Sequence, residues 1–123
     1  MTKTEQAIEN HKSFRSCSES VLCAFRGEIG LSEDAAKTVA RPMAGGRMGT
    51  CGAVLAAEYV LREKYGEASE SKIAEFEKEF AEMNRSVICR ELKGGLTGKP
   101  LRSCRGCVTD AAQLLERKLS EEQ

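Results

Sequence analysis

The chain has one histidine, no net charge, no alternating strand pattern and no apolar run long enough to cross a bilayer. Each scarcity removes a class of function. The histidine, His11, lies among Glu9, Asn10 and Lys12 on a charged segment, so it reads as solvated, and no strong Cys-His dyad is left for protease-like catalysis. Lys plus Arg and Asp plus Glu balance at 19 each, so there is no electrostatic case for binding nucleic acid or an anionic membrane. Arg102 and Arg105 form a small basic spot that reads as a solvated helix start. The opening Met1-Thr2-Lys3-Thr4-Glu5-Gln6 is polar and carries no signal-like apolar region, so a cytoplasmic protein without a membrane span is expected. The glycines of Gly45-Gly46-x-x-Gly49-x-x-Gly52 lack the Lys-Ser/Thr pair of a phosphate loop and follow no strand, which disfavours nucleotide binding. They read instead as a tight turn with close backbone access around Cys51, with Arg41 and Arg47 solvent-exposed.

What the chain does have is cysteine: six in 123 residues. A chain this long folds as one domain, here residues 1–123, and can bury a core without disulfides. In a reducing compartment, clustered cysteines more often mean metal binding or catalysis than structural bridges.

Helical periodicity dominates. The first helix is expected over 4–27, with Phe14, Cys17, Val21 and Phe25 on one inward stripe and Cys23 about 120° away from Cys17. Ser32-Glu33-Asp34 opens a short helix that Arg41-Pro42 ends. The run from Cys51 to about Tyr65 is small or apolar on most sides, which predicts the central, most buried helix. Gly66 stops it, and Ser69 or Ser71 caps the next, where Ile73, Phe76, Phe80, Met83 and Val87 recur every three to four residues. Any apolar face left over there could serve a homodimer, although core packing is the commoner use. Cys89 falls in a turn over 86–93, and 94–100 reads as a loop. The last helix carries Val108, Ala111, Leu115 and Leu119 on one face, with Cys104 one turn earlier on the same face. The runs 75–78 and 116–123 read as solvated helix faces. The expected fold is all-α: a single-domain bundle or orthogonal array of five to six helices.

Thiols at helix starts face unpaired N–H groups and the positive end of the macrodipole, which favours the thiolate. Cys51 and Cys104 stand at such starts, and Cys104-Arg105-Gly106-Cys107 can close a disulfide or chelate one metal, with Arg105 lowering the thiol pKa values further. A second Cys-x-x-Cys and a βαβ pattern are both missing, which weakens zinc-ribbon and thioredoxin readings, and the lack of Cys-x-x-Cys-His disfavours covalent haem. Against these stands packing, because free cysteine is among the most buried residue types.

The order Cys17, then Gly49-Thr50-Cys51-Gly52-Ala53, then Cys89-Arg90-Glu91-Leu92, then Cys104 three residues ahead of a helix resembles the C_GCAxxG_C_C family over residues 16–119. A related domain occurs in split-Soret cytochromes. The resemblance implies a small helical domain whose four recurring cysteines, here Cys17, Cys51, Cys89 and Cys104, are suspected to act in redox chemistry or to hold a metal or iron–sulfur centre. Cys107 and Cys23 are extras to that set, and Ala56 stands where the family name leads one to expect glycine.

The leading expectation is therefore a redox-active protein. Cys17, Cys51, Cys89 and Cys104 would hold a thiolate-bound metal or iron–sulfur cluster, or Cys51, Cys104 and Cys107 would act as redox thiols with Cys51 the nucleophile. The partner would be another redox protein. Two alternatives stay open: a non-catalytic helical interaction domain with packing cysteines, and a sulfur or selenium carrier with Cys107 as resolving thiol.

Overall fold

The computed structural model describes residues 1–95 and 98–121. Leu96 and Thr97, inside the loop expected over 94–100, lie outside the described residues, as do positions 122–123 of the expected charged tail. The fold is all-α. Its helices are α1 (Lys3–Lys12), α2 (Cys17–Phe25), α3 (Glu33–Ala40), α4 (Gly52–Tyr65), α5 (Ser69–Asn84), a single turn α6 (Cys89–Leu92) and α7 (Cys104–Glu121). Short 3-10 turns follow α2, α3 and α4 at Arg26–Ile29, Arg41–Gly46 and Gly66–Ala68. No helix among the described residues is long and apolar enough to cross a membrane.

The single helix expected over 4–27 is two helices. Thr2 and Glu5 close a capping box on α1, and the helix ends at Ser13. Phe14 then takes a left-handed φ of 70°, which leaves its ring 98% exposed rather than on the inward stripe. Ser16 restarts the chain as N-cap of α2, its hydroxyl accepting the Glu19 N–H at 3.2 Å. Local side-chain hydrogen bonds of this kind compete with a continuing helix, so hydrophobic spacing alone does not carry through the segment. The break folds α1 back onto α2, where Asn10 Nδ2 donates to the Ser20 carbonyl at 3.1 Å.

α4 is the centre. It packs against α2, α5 and α7, and Ala53, Val54, Ala56, Ala57, Val60 and Leu61 are all fully buried. Its alanines let backbones come close, and the methyl of Ala56 is accommodated where the family name suggests glycine. α5 contributes Phe76 and Phe80, stacked at 6.4 Å between ring centroids, whereas Met83 turns out to be half exposed. α7 closes the core with Val108, Ala111 and Leu115. Lys118, buried on α7, ties the helix to Glu75 and Glu79 of α5 at 2.9 and 3.3 Å.

One polar pair interrupts this core. Glu58 of α4 is buried and shares a hydrogen bond with Glu77 of α5, and its second oxygen has no partner among the described residues. Burial first, then the Glu77 hydrogen bond and charge, push the Glu58 carboxyl up to about 9, so it is protonated at neutral pH.

Candidate functional site

Four separate segments deliver sulfur to one place. Cys17 is the first residue of α2, Cys51 the N-cap position of α4, Cys89 the first residue of α6 and Cys104 the first residue of α7. α7 thus begins at Cys104 itself, rather than three residues later. Cys107 follows one turn along it. These five thiols line one cavity with Leu92, Lys93 and Arg102. The space left between them is about 10 Å³, near the least that a single water needs.

Backbone pairing and two glycines set the approach of the sulfurs. The Cys51 N–H donates to the Val87 carbonyl at 2.7 Å, and the Cys89 N–H donates to the Gly49 carbonyl at 2.9 Å. This antiparallel bridge, centred on Thr50 and Ile88, holds Cys51 beside Cys89. Gly52 lies against α2 so closely that a Cβ would meet Cys17 Sγ at 2.6 Å and the Met43 carbonyl oxygen at 2.8 Å. Gly46, at φ +75°, faces Cys89, whose Cβ and Sγ would both lie 3.2 Å from an added Cβ. Both glycines are therefore spaces that thiols fill.

The electrostatics divide the thiols. The Cys107 thiol, beside Cys51 in the cavity, is the largest influence on it. The N–H groups of Val54 and Ala53 also face its sulfur, without either completing a cap hydrogen bond, and Lys93 adds a more distant positive charge. Together they outweigh burial and bring Cys51 down to about 7. Cys107, as donor to Cys51 and buried beside it, is pushed well up. The two share one proton, and it belongs to Cys107. Burial likewise raises Cys17, although the Gly45 N–H donates to its sulfur, and it raises Cys89 against the pull of Lys93. Lys93 Nζ donates to Cys104 Sγ, and that contact holds its ammonium charged.

Arg102 closes the rim. Its guanidinium reaches across Gly106 to Asp110 in a fork of 3.0 and 3.2 Å, and a Cβ on Gly106 would run into the arginine side chain. Arg102 stays exposed ahead of α7, as expected, and is in addition a partner of a buried carboxylate and a wall of the cavity. Lys93 also escaped the sequence reading. Its signal is the i,i+4 spacing from Cys89, which puts ammonium and thiol on one side of the α6 turn. Nothing local in the sequence links Arg102 to Asp110.

Cys23 lies elsewhere, half-buried beside Arg15, which itself pairs with Glu33 at 2.8 Å. His11 accepts a hydrogen bond from Arg105 Nε at 3.2 Å, away from the cavity, and burial lowers its pKa further from charge. Arg41 and Arg47 are exposed, Arg47 donating to the Arg41 carbonyl.

All six cysteines are free thiols. The donor chemistry, all sulfur, suits a soft metal or cluster. The spacing does not fit one as it stands: among the described residues no three Cys, His, Asp or Glu side chains come together closely enough to hold an ion.

Fold and site define a small all-α protein built around a closed pocket of thiols. The chain belongs to the C_GCAxxG_C_C family, described as "putative redox-active protein", whose sequence profile matches residues 15–118. No curated protein and no solved structure gives a significant match.

Proposed function

We propose that this protein is a dithiol–disulfide redox protein in which Cys51 and Cys107 are the working pair. What carries the reading is that Cys51 and Cys107 line one cavity, with Cys107 the largest influence holding Cys51, at its helix start, near 7. A thiolate with a pKa near ambient pH is the best attacking sulfur, because a lower pKa costs nucleophilicity. A second thiol in the same cavity is placed to resolve any mixed disulfide on the first. In the oxidising direction Cys51 and Cys107 give up two electrons and two protons to a disulfide acceptor. The acceptor leaves as two thiols and one S–S bond joins Cys51 to Cys107. The redox partner is thus a molecule that carries a disulfide.

Cys104 supports the pair as the sulfur held by Lys93. Cys17 and Cys89 complete the wall of thiols.

A second reading is favoured by one fact: Cys17, Cys51, Cys89 and Cys104 come from four segments to one cavity. Those four would be the ligands of a thiolate-bound metal or iron–sulfur centre, if the sulfurs draw closer together on binding.

The test is graded oxidation of the reduced, full-length protein, with free-thiol counts, mapping of disulfides and analysis for iron, zinc and acid-labile sulfide. The dithiol reading expects a metal-free protein that reversibly loses two thiols, joined as Cys51–Cys107. Stoichiometric metal bound through the four cysteines would replace it with the second reading. Six thiols inert to oxidation in a metal-free protein would sink both.

A further inference from the structure

Cys51 and Cys89 are both buried, 5% and 8% exposed, but Cys51 opens only on the cavity, which has no room for a ligand. The thiol that lines both this cavity and an outer groove is Cys89. The groove is open and holds about 740 Å³, within the range of small-molecule sites. Gly45, Gly46 and Gly49 form one wall, and Cys89, Arg90 and Lys93 stand on the other. Because Gly46 has no side chain, Cys89 can pack directly against the glycine wall of the groove, where an added Cβ would come within 3.2 Å of its Sγ. Arg90 and Lys93 stand against the one carboxylate of the lining, Glu91, which accepts from the Ser86 hydroxyl at 2.6 Å, so the balance of charge is positive.

We infer that this groove is the docking site for a small anionic disulfide, one bearing carboxylates, and that Cys89 is the sulfur that meets it. The inference rests on the Cys51–Cys107 reading for the fate of the electrons. The Cys89 thiolate attacks one sulfur of RSSR; that S–S bond breaks, RS⁻ leaves, and Cys89–S–S–R forms. The Cys51 thiolate attacks Cys89 Sγ and expels the second RS⁻. The Cys107 thiolate then attacks Cys51 Sγ, so Cys51–Cys107 closes and Cys89 is released as a thiol. Two electrons and two protons pass from Cys51 and Cys107 to RSSR, which leaves as two RSH. Arg90 binds the carboxylates and takes no part in the exchange.

The experiment compares three disulfides on the reduced protein at low salt: glutathione disulfide (anionic), hydroxyethyl disulfide (neutral) and cystamine (cationic). Each rate is divided by that with free mercaptoethanol, which removes intrinsic reactivity. Glutathione disulfide should lead cystamine by about tenfold, the lower end of electrostatic steering in a charged cleft. Arg90→Glu should erase or reverse that order. In Cys51→Ser the mixed disulfide should persist and map to Cys89, and Cys89→Ser should form none there. An adduct on another cysteine, or an order indifferent to Arg90→Glu, overturns the docking site. If all three reagents close Cys51–Cys107 equally fast, the working pair stands and the groove falls. If Cys89 captures glutathione selectively but Cys51–Cys107 never closes, the groove stands and the working pair falls.

Discussion

Cys51 and Glu58 stand seven residues apart on α4, each hydrogen-bonded to a second acid of its own kind from a neighbouring helix. Both are buried beside a like acid. Cys51 nevertheless goes down to about 7, whereas Glu58 goes up to about 9. The difference lies first in Cys107, the largest influence on Cys51, and then in what α4 offers. At Cys51 the first turn of the helix presents N–H groups with no partner one turn back, and the thiol of Cys107 adds a donor. At Glu58, two turns along, those N–H groups are already spent on the helix, so burial wins. The same helix makes a charged sulfur at its start and a neutral carboxyl in its middle. Only the first holds its charged form at neutral pH.

The harshest way to break the comparison is to displace the helix start. Gly52→Val would drive a branched side chain into Cys17 Sγ and the Met43 backbone. The variant should lose about 3 kcal/mol or fail to fold, the upper range for overpacking a tight contact, as read by denaturant unfolding. Full stability would mean that α2 and α4 are less close than described.

Glu58→Gln tests the middle of the helix. The folded pKa of Glu58 lies above its ordinary value of 4.5, so the protonated pair contributes fully below about pH 4.5 and that contribution is lost as pH rises to about 9. Wild-type stability should fall by a few kcal/mol across that window from this site, and Glu58→Gln should flatten the slope. An unchanged slope in the variant would assign the pH dependence elsewhere.

Cys107→Ala removes the donor and keeps the helix start. Cys51 should move from about 7 to 8.5 or above, since the remaining N–H groups must then work against burial. A Cys51 that stays near 7 would hand the whole effect to the helix. Lys93→Met is the finest probe. Lys93 is the weakest of the influences that lower Cys51, so its loss should raise that pKa by only a few tenths, less than the change from Cys107→Ala.

Much of this was legible in the chain. The apolar run from Cys51 to Tyr65 reads as the buried helix, and α4 is that helix. The repeat through Ile73, Phe76 and Phe80 is α5, and the Val108, Ala111 and Leu115 face is the buried side of α7. What escaped depended on contacts rather than periodicity. Phe14 carries the right spacing for the inward stripe, yet the Ser16 cap and its own left-handed backbone take it out. Cys107 sits where an apolar residue is expected, and only the packing of α7 on α4 sets it beside Cys51 in the cavity. Lys93, Arg102 and the Glu58–Glu77 pair read as ordinary surface charges in a chain that is 31% charged. Their roles arise from partners distant in sequence or across an unread turn.

The most direct test of the central claim is a pH titration of the cysteine Cβ resonances by carbon-13 NMR, on reduced, metal-free wild-type protein. The account predicts that Cys51 ionises alone near pH 7 while Cys107 stays protonated well beyond it. Cys51 ionising at or above 8.5, or Cys107 ionising first, would contradict it.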